Sequence, residues 1–127
     1  MPQTILVAED NEMNLRLMVD LLVHYGYEVR EASNGIQAVM LARLHHIDLI
    51  MMDMQMPIMS GYEAVQILRS DEKTAGIKIV AVTSFALPEE KERILATGVD
   101  EFMAKPIDTR ELPKLIERVL ARNQRDR

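Results

Sequence analysis

The sequence predicts an α/β fold, a doubly wound five-stranded parallel sheet of order 2-1-3-4-5 with helices on both faces. Three observations carry this. Short apolar runs alternate with longer amphipathic ones, five times over. Three of the runs are almost continuously apolar, as strands buried on both faces must be. Another, Tyr27-Glu28-Val29-Arg30-Glu31, alternates apolar and charged residues and suits an edge.

Taken in order, Thr4-Ile5-Leu6-Val7-Ala8 reads as the first strand. Asn11 can cap a helix whose apolar stripe is Leu15, Met18, Leu22 and Tyr25, with Gly26 as its stop. The mixed strand 27–31 follows. Asn34-Gly35 turns the chain into a second helix lined by Ile36, Val39 and Ala42. Asp48 to Met52 is a buried strand ending at Asp53. Ser60 and Glu63 have capping-box spacing and open a third helix through about Ser70. Ile77 to Val82 is the fourth strand, interrupted by Lys78. Pro88, Glu89 and Glu90 start a fourth helix that Gly98 stops. Asp100 to Ala104 is a short fifth strand. A last helix from Asp108 carries Leu112, Leu115, Ile116, Val119 and Leu120. Pro113 falls inside it, so the reading requires either a kink or a later start. The tail 123–127 is polar and is expected to fray. The fold is of the flavodoxin-like (βα)5 type.

Composition narrows the function. The 127 residues suit one domain. No apolar run is long enough for a membrane span, and the start lacks the layout of a secretory signal. There are no cysteines, which excludes thiolate metal sites and disulfides and fits a cytoplasmic location. The net charge of −5 disfavours general binding of nucleic acid or anionic membrane.

In such sheets ligands bind beyond the carboxyl ends of the strands. Those ends read Glu9-Asp10, Asp53, Thr83-Ser84 and Lys105-Pro106. The predicted strand order brings them to one edge. Three carboxylates and one ammonium make a site with a net charge of about −2 built from hard oxygens, which suits Mg²⁺. Asp10, Asp53 and the Gln55 backbone carbonyl are the expected direct ligands, with Glu9 acting through a water. A metal beside a buried-strand carboxylate points to phosphoryl chemistry with Asp53 as acceptor. The Lys105 ammonium and the Thr83 hydroxyl would neutralise phosphoryl oxygens.

Four motifs lie in this order: Ile5-Leu6-Val7-Ala8-Glu9-Asp10-Asn11, Asp53-Met54-Gln55-Met56-Pro57-Ile58-Met59-Ser60-Gly61, Val82-Thr83-Ser84 and Lys105-Pro106. Together they resemble the receiver domain of two-component response regulators, the family of the chemotaxis protein CheY. The resemblance covers about residues 3 to 122 and implies a single receiver domain over 1–127. The opening is most similar to stand-alone regulators of the DivK type and to receivers of hybrid kinases. The resemblance implies that Asp53 accepts phosphate from a histidine kinase or histidine phosphotransfer protein. It implies a switch through Thr83 and Phe102, and a cis bond between Lys105 and Pro106. It places output on the face made by the fourth helix, fifth strand and fifth helix, read by a downstream protein. On that face the sequence puts Glu92, Arg93, Asp100, Glu101, Arg110 and Lys114. The chain is expected to be a monomer, with a phosphorylation-linked dimer as the alternative. Glu9 and Ser84 replace a commoner Asp and Ala, and Phe102 lacks the hydroxyl of the commoner Tyr. Gln55 and Phe85 occupy the two positions expected to tune hydrolysis.

Other readings compete. Each motif taken singly has a purely structural explanation. A Mg²⁺-dependent phosphohydrolase needs an acid or base two residues past the acceptor, where Gln55 stands. A phosphorylation-independent interaction module would keep the fold with a vestigial site. A flavin carrier would need a Gly-rich loop after the first strand. The methionines at 51, 52, 54, 56 and 59 could suggest Cu(I), but Met51 and Met52 point to opposite faces of a buried strand and read as core. His24, His45 and His46 sit at helix ends and are not expected to bind metal.

Overall fold

The computed structural model describes residues 2–84 and 87–122. Phe85 and the tail 123–127 lie outside the described residues. The elements are β1 (Thr4–Ala8), α1 (Glu12–His24), β2 (Glu28–Ala32), α2 (Gly35–Leu44), β3 (Leu49–Asp53), α3 (Gly61–Ser70), β4 (Lys78–Thr83), α4 (Pro88–Ala96), β5 (Glu101–Ala104) and α5 (Glu111–Leu120). The sheet order is β2-β1-β3-β4-β5, with every pair parallel. Strand alternation divides the core in two. Ile50 and Met52 of β3 pack with Ala38, Val39, Val65, Leu68 and Ile94 from α2, α3 and α4. Leu49 and Met51 pack on the other face with Met18, Leu22, Leu112, Leu115 and Ile116 from α1 and α5.

Local signals explain most boundaries. Asn11 and Asn34 each accept a hydrogen bond from the backbone N–H three residues on. Ser60 and Glu63 complete the capping box at α3. Gly26 and Gly98 hold φ of +93° and +99°, the left-handed region where a helix is stopped without a Cβ penalty.

The differences from the sequence reading have physical causes. Tyr25 caps α1 and is exposed, so the inner stripe ends at Leu22. Ile36 faces outward on α2, and Ala38 takes its place inside. β2 is shifted one residue to 28–32, because its pairing with β1 sets Thr4 opposite Glu28. Asp48 lies just before β3, where its carboxylate accepts the Thr4 N–H at 2.8 Å. α5 starts at Glu111 rather than Asp108, whose carboxylate accepts the Arg110 N–H at 2.9 Å just before it. Pro113 is then the third helical residue, where an N–H has no intrahelical acceptor and its loss costs nothing. Lys78 is buried within β4 and donates to the Arg122 carbonyl at 2.6 Å.

Asp100 requires a correction. It is not part of an exposed interaction face. Its side chain is buried, accepting from Arg69 Nη2 at 3.1 Å and from the Ile79 N–H at 2.7 Å. Arg69 also donates to the carbonyls of Gly98, Ala75 and Ile77. This one guanidinium ties the end of α3 to the approaches of β4 and β5. Among the described residues, no helix is long and apolar enough to cross a membrane.

Candidate functional site

The carboxyl ends of β1, β3, β4 and β5 converge, because parallel pairing puts them on one edge. Glu9 follows β1 directly, and its N–H donates to the Ala32 carbonyl at 3.0 Å, fixing it there. Its side chain is buried, with Oε2 accepting the Asn11 N–H at 3.1 Å. Asp10 beside it is exposed. Asp53 ends β3 at 1% exposure. Its Oδ1 accepts the Gln55 N–H at 3.0 Å, and its Oδ2 accepts from Lys105 Nζ at 3.0 Å. The same ammonium lies 2.9 Å from Glu9 Oε1. Lys105 is positioned by its own N–H, which donates to the Thr83 carbonyl at 2.8 Å. The Lys105–Pro106 peptide is cis.

The electrostatics follow from this crowding. Burial pushes the Asp53 carboxyl above its ordinary range. The Gln55 N–H works against that, the Glu9 carboxyl adds to the rise, and Lys105 opposes it. Burial works against the Lys105 charge, but Glu9 and Asp53 outweigh it and raise its pKa.

Glu9, Asp10 and Asp53 each offer an oxygen within 4.8 Å of the others. Glu9 Oε1 is buried and meets the Lys105 ammonium in an ion pair at 2.9 Å, with no hydrogen bond directed onto it. A buried carboxylate oxygen left in that state, in a group of hard oxygens, fits a divalent cation such as Mg²⁺.

Thr83 ends β4 at 1% exposure. Its hydroxyl lies 3.3 Å from the Gln55 side-chain nitrogen and 3.4 Å from its oxygen. Gln55 therefore touches both Asp53 and Thr83, a link that motif reading missed. The spacing carried half of it, since an Asp at a turn commonly accepts the N–H two residues on. The side-chain half depends on β4 lying beside β3. Phe102 on β5 is half-buried against the α2–α3–α4 core, with Lys91 Nζ 5.9 Å above its ring. Ser84 is exposed and small. The other candidates stay apart from the site. His46 pairs with Asp48 at 3.0 Å, before β3 and at the opposite end of the sheet. Met52, Met54, Met56 and Met59 pack in one core cluster and Met51 in the other.

Gly61 shapes the loop that holds Asp53. A Cβ there would lie 2.5 Å from the Asp53 carbonyl oxygen and 2.7 Å from Met54 Cα, both backbone atoms. Gly61→Ala is expected to cost about 1–3 kcal/mol in urea unfolding.

Comparison with known proteins agrees with this arrangement. The profile of the response regulator receiver domain matches residues 5–117. The polar-differentiation response regulator DivK of Brucella anthropi is 40% identical over 119 residues, covering 94% of each chain. The same relationship holds for DivK of Brucella ovis. Among solved structures, the receiver domain of sensor histidine kinase PA1611 from Pseudomonas aeruginosa PAO1 superposes with a TM-score of 0.89. It is 34% identical, with 96% of this chain and 100% of that one covered, and holds a magnesium ion in its active-site cleft. Vibrio cholerae chemotaxis protein CheY4 gives a TM-score of 0.88 at 28% identity, covering 94% of this chain and 99% of its own. Fold, strand-end chemistry and sequence agree, and the chain belongs to the response regulator receiver domains, the phosphoacceptor switches of two-component signalling.

Proposed function

We propose that Asp53 takes a phosphoryl group from the phosphohistidine of a histidine kinase or histidine phosphotransfer protein, and that this switches a protein-binding surface on α4, β5 and α5. One observation carries the reading: Asp53 is a buried strand-end carboxylate held between the Lys105 ammonium and two further carboxylates. In the transfer an Asp53 Oδ–P bond forms while the P–N bond to histidine breaks, and its electron pair stays with the imidazole. The Lys105 ammonium is within reach of Asp53 Oδ2 and offsets charge on a phosphoryl oxygen there. Asp10, Asp53 and the Gln55 carbonyl would hold Mg²⁺, with Glu9 acting through a water. Bound magnesium supplies positive charge that offsets the acidic cluster and the phosphoryl oxygens. The small, exposed Ser84 leaves room for approach.

The Thr83 hydroxyl now sits against Gln55. To donate to the phosphoryl group it must turn from that amide. Phe102, on the neighbouring strand, is the aromatic placed to follow. The phosphoryl group then acts by favouring one of two surface states, which the downstream partner reads. Glu92 and Arg93 on α4, Arg110 just before α5 and Lys114 on α5 are exposed, and Glu101 pairs with Arg122 beside them. On this reading the chain acts, as a response regulator of the DivK kind, by contact with another protein.

The test is incubation with Mg²⁺ and a small acyl phosphate. A base-labile mass gain on the Asp53 peptide is expected, and its absence from the native chain sinks the reading. Mg²⁺ alone should raise the melting temperature in a concentration-dependent way by mass action, and chelation should reverse it. Calorimetric scans with and without chelator check this.

A further inference from the structure

Asn34-Gly35 stands where the chain leaves β2 and enters α2, and the fold requires both residues. The Asn34 side chain caps the helix, accepting the Gln37 N–H at 3.0 Å. Gly35 is buried, and a Cβ there would lie 2.5 Å from the Met59 carbonyl oxygen, so no side chain fits. The same pair is chemically vulnerable. A glycine after an asparagine leaves its backbone nitrogen unshielded, and that nitrogen can attack the asparagine side-chain carbonyl carbon. In the folded chain three hydrogen bonds oppose the attack. The Gly35 N–H donates to the Met59 carbonyl at 3.1 Å, which holds the nitrogen against the β3–α3 loop. The capping bond holds the Asn34 amide toward Gln37. The Asn34 carbonyl accepts the Ala38 N–H at 3.1 Å and helps keep ψ at 172°, away from the turn that closing a five-membered ring needs.

We infer that Asn34-Gly35 is a covalent modification site gated by opening of the first turn of α2. When the turn opens, the Gly35 nitrogen bonds to Asn34 Cγ, its proton passes to water, and the side-chain nitrogen leaves as ammonia. The cyclic imide then takes up one water. If water breaks the new bond to Cγ, an aspartate results. If it breaks the original peptide bond, an isoaspartate results, whose main chain runs through Cβ and Cγ and is one carbon longer. The two products differ in effect. Aspartate caps a helix as well as asparagine does. Isoaspartate displaces the Gly35 N–H from Met59, and the β3–α3 loop loses a bond that holds it. That loop carries Ile58 at φ of 71°, a costly conformation for a β-branched residue that persists only while its surroundings hold it. The modification thus releases the loop from α2. No residue of the acidic site takes part, so the inference stands independently of the phosphoryl reading.

Mass spectrometry of the full chain at mildly alkaline pH tests it, in guanidinium concentrations rising toward the unfolding transition. The Asn34 peptide is scored for ammonia loss and for the mass of aspartate, and exchange of the Gly35 amide hydrogen is followed in the same samples. Without denaturant, modification should be at least about a hundredfold slower than in the unfolded chain. At each concentration the retardation should match the Gly35 exchange protection within about threefold, because one opening governs both. Ala38→Gly weakens the first turn and should raise both rates together by about threefold or more. Asn34→Ser keeps a cap and should show no modification at 34. The isoaspartyl chain, separated by chromatography, should lose at least about tenfold of its Gly35 protection while the aspartyl chain keeps it. A folded chain modified as fast as the unfolded one overturns the inference. So does a rate that fails to follow Gly35 exchange, since the chemistry would then proceed without opening. An isoaspartyl chain with full Gly35 protection overturns the release of the loop.

Discussion

Asp53→Asn is expected to abolish phosphoryl uptake and, at the same time, to make the protein more stable. The first effect is chemical, because an amide oxygen is not a nucleophile that can hold the phosphoryl group. The second is electrostatic. Asp53 is buried and shares its surroundings with the Glu9 carboxylate, and both conditions raise its pKa. A carboxyl whose folded pKa lies above its unfolded value costs stability at neutral pH. It returns that stability as pH falls through the folded value. Asn removes the charge at nearly constant shape. Its oxygen can still accept the Gln55 N–H, while its amide nitrogen takes the Oδ2 position and gives up the Lys105 hydrogen bond, which holds the gain down. Lys105 keeps Glu9 as its ion partner. A gain on the order of 1–2 kcal/mol in urea unfolding at neutral pH is expected. The native chain should gain stability on acidification through the Asp53 pKa, and the variant should lack that component. Mass spectrometry after incubation with an acyl phosphate reads the first effect. Uptake that persists at native level in the variant would remove Asp53 as the acceptor.

Lys105→Met is expected to produce the largest loss of stability. The ammonium lies within 3.0 Å of both Asp53 and Glu9, and its side chain is only 17% exposed. Methionine keeps the length and removes the charge. Two buried carboxylates then face each other with no cation between them, and breaking such a pairing costs about 3–5 kcal/mol. The loss should shrink in two ways. Mg²⁺ should restore more stability to the variant than to the native chain, because it replaces the missing positive charge. Acidification should also restore it, since the Asp53 pKa rises further when Lys105 no longer opposes the rise and the folded state then takes up a proton. The alkaline side runs the other way. Lys105 has a raised folded pKa, so its contribution is complete below its unfolded pKa and is lost as pH rises through the folded one. The native chain should therefore show an alkaline loss that the variant lacks. Urea titrations across pH, with magnesium and with chelator, separate these effects. A metal-free variant as stable as the native chain at neutral pH would show that Lys105 does not hold the site together.

Much of this was legible in the residues. The run Thr4–Ala8 and the run ending at Asp53 read as buried strands because residues 5–8 and 49–52 are all apolar. Ser60 and Glu63 announced their helix by spacing alone. These features are local, so a single sequence carries them. Tyr25 and Ile36 were misread because a helical stripe fixes a face only to within one position, and packing chooses the residue. Asp100 was placed on an exposed face because a charged residue at a strand start usually is exposed. It is buried because Arg69, 31 residues earlier, reaches it from α3. No spacing rule carries a contact of that kind.

By itself, the sequence determined which chemistry stands at the strand ends. Strand periodicity and parallel order require Glu9, Asp10, Asp53, Thr83 and Lys105 to share one edge, because residues ending adjacent parallel strands have no other place to go. Only the tertiary structure decided how they meet. It showed one ammonium serving two carboxylates, Gln55 joining the acceptor to the Thr83 hydroxyl, and a Glu9 oxygen buried without an aligned donor. It also showed that α2 turns a second apolar face to the outside. The physical reason is common to all of these. Local patterns fix which side of an element is apolar and where it ends, whereas distances between side chains 28 or 52 residues apart are set by how the sheet and helices pack.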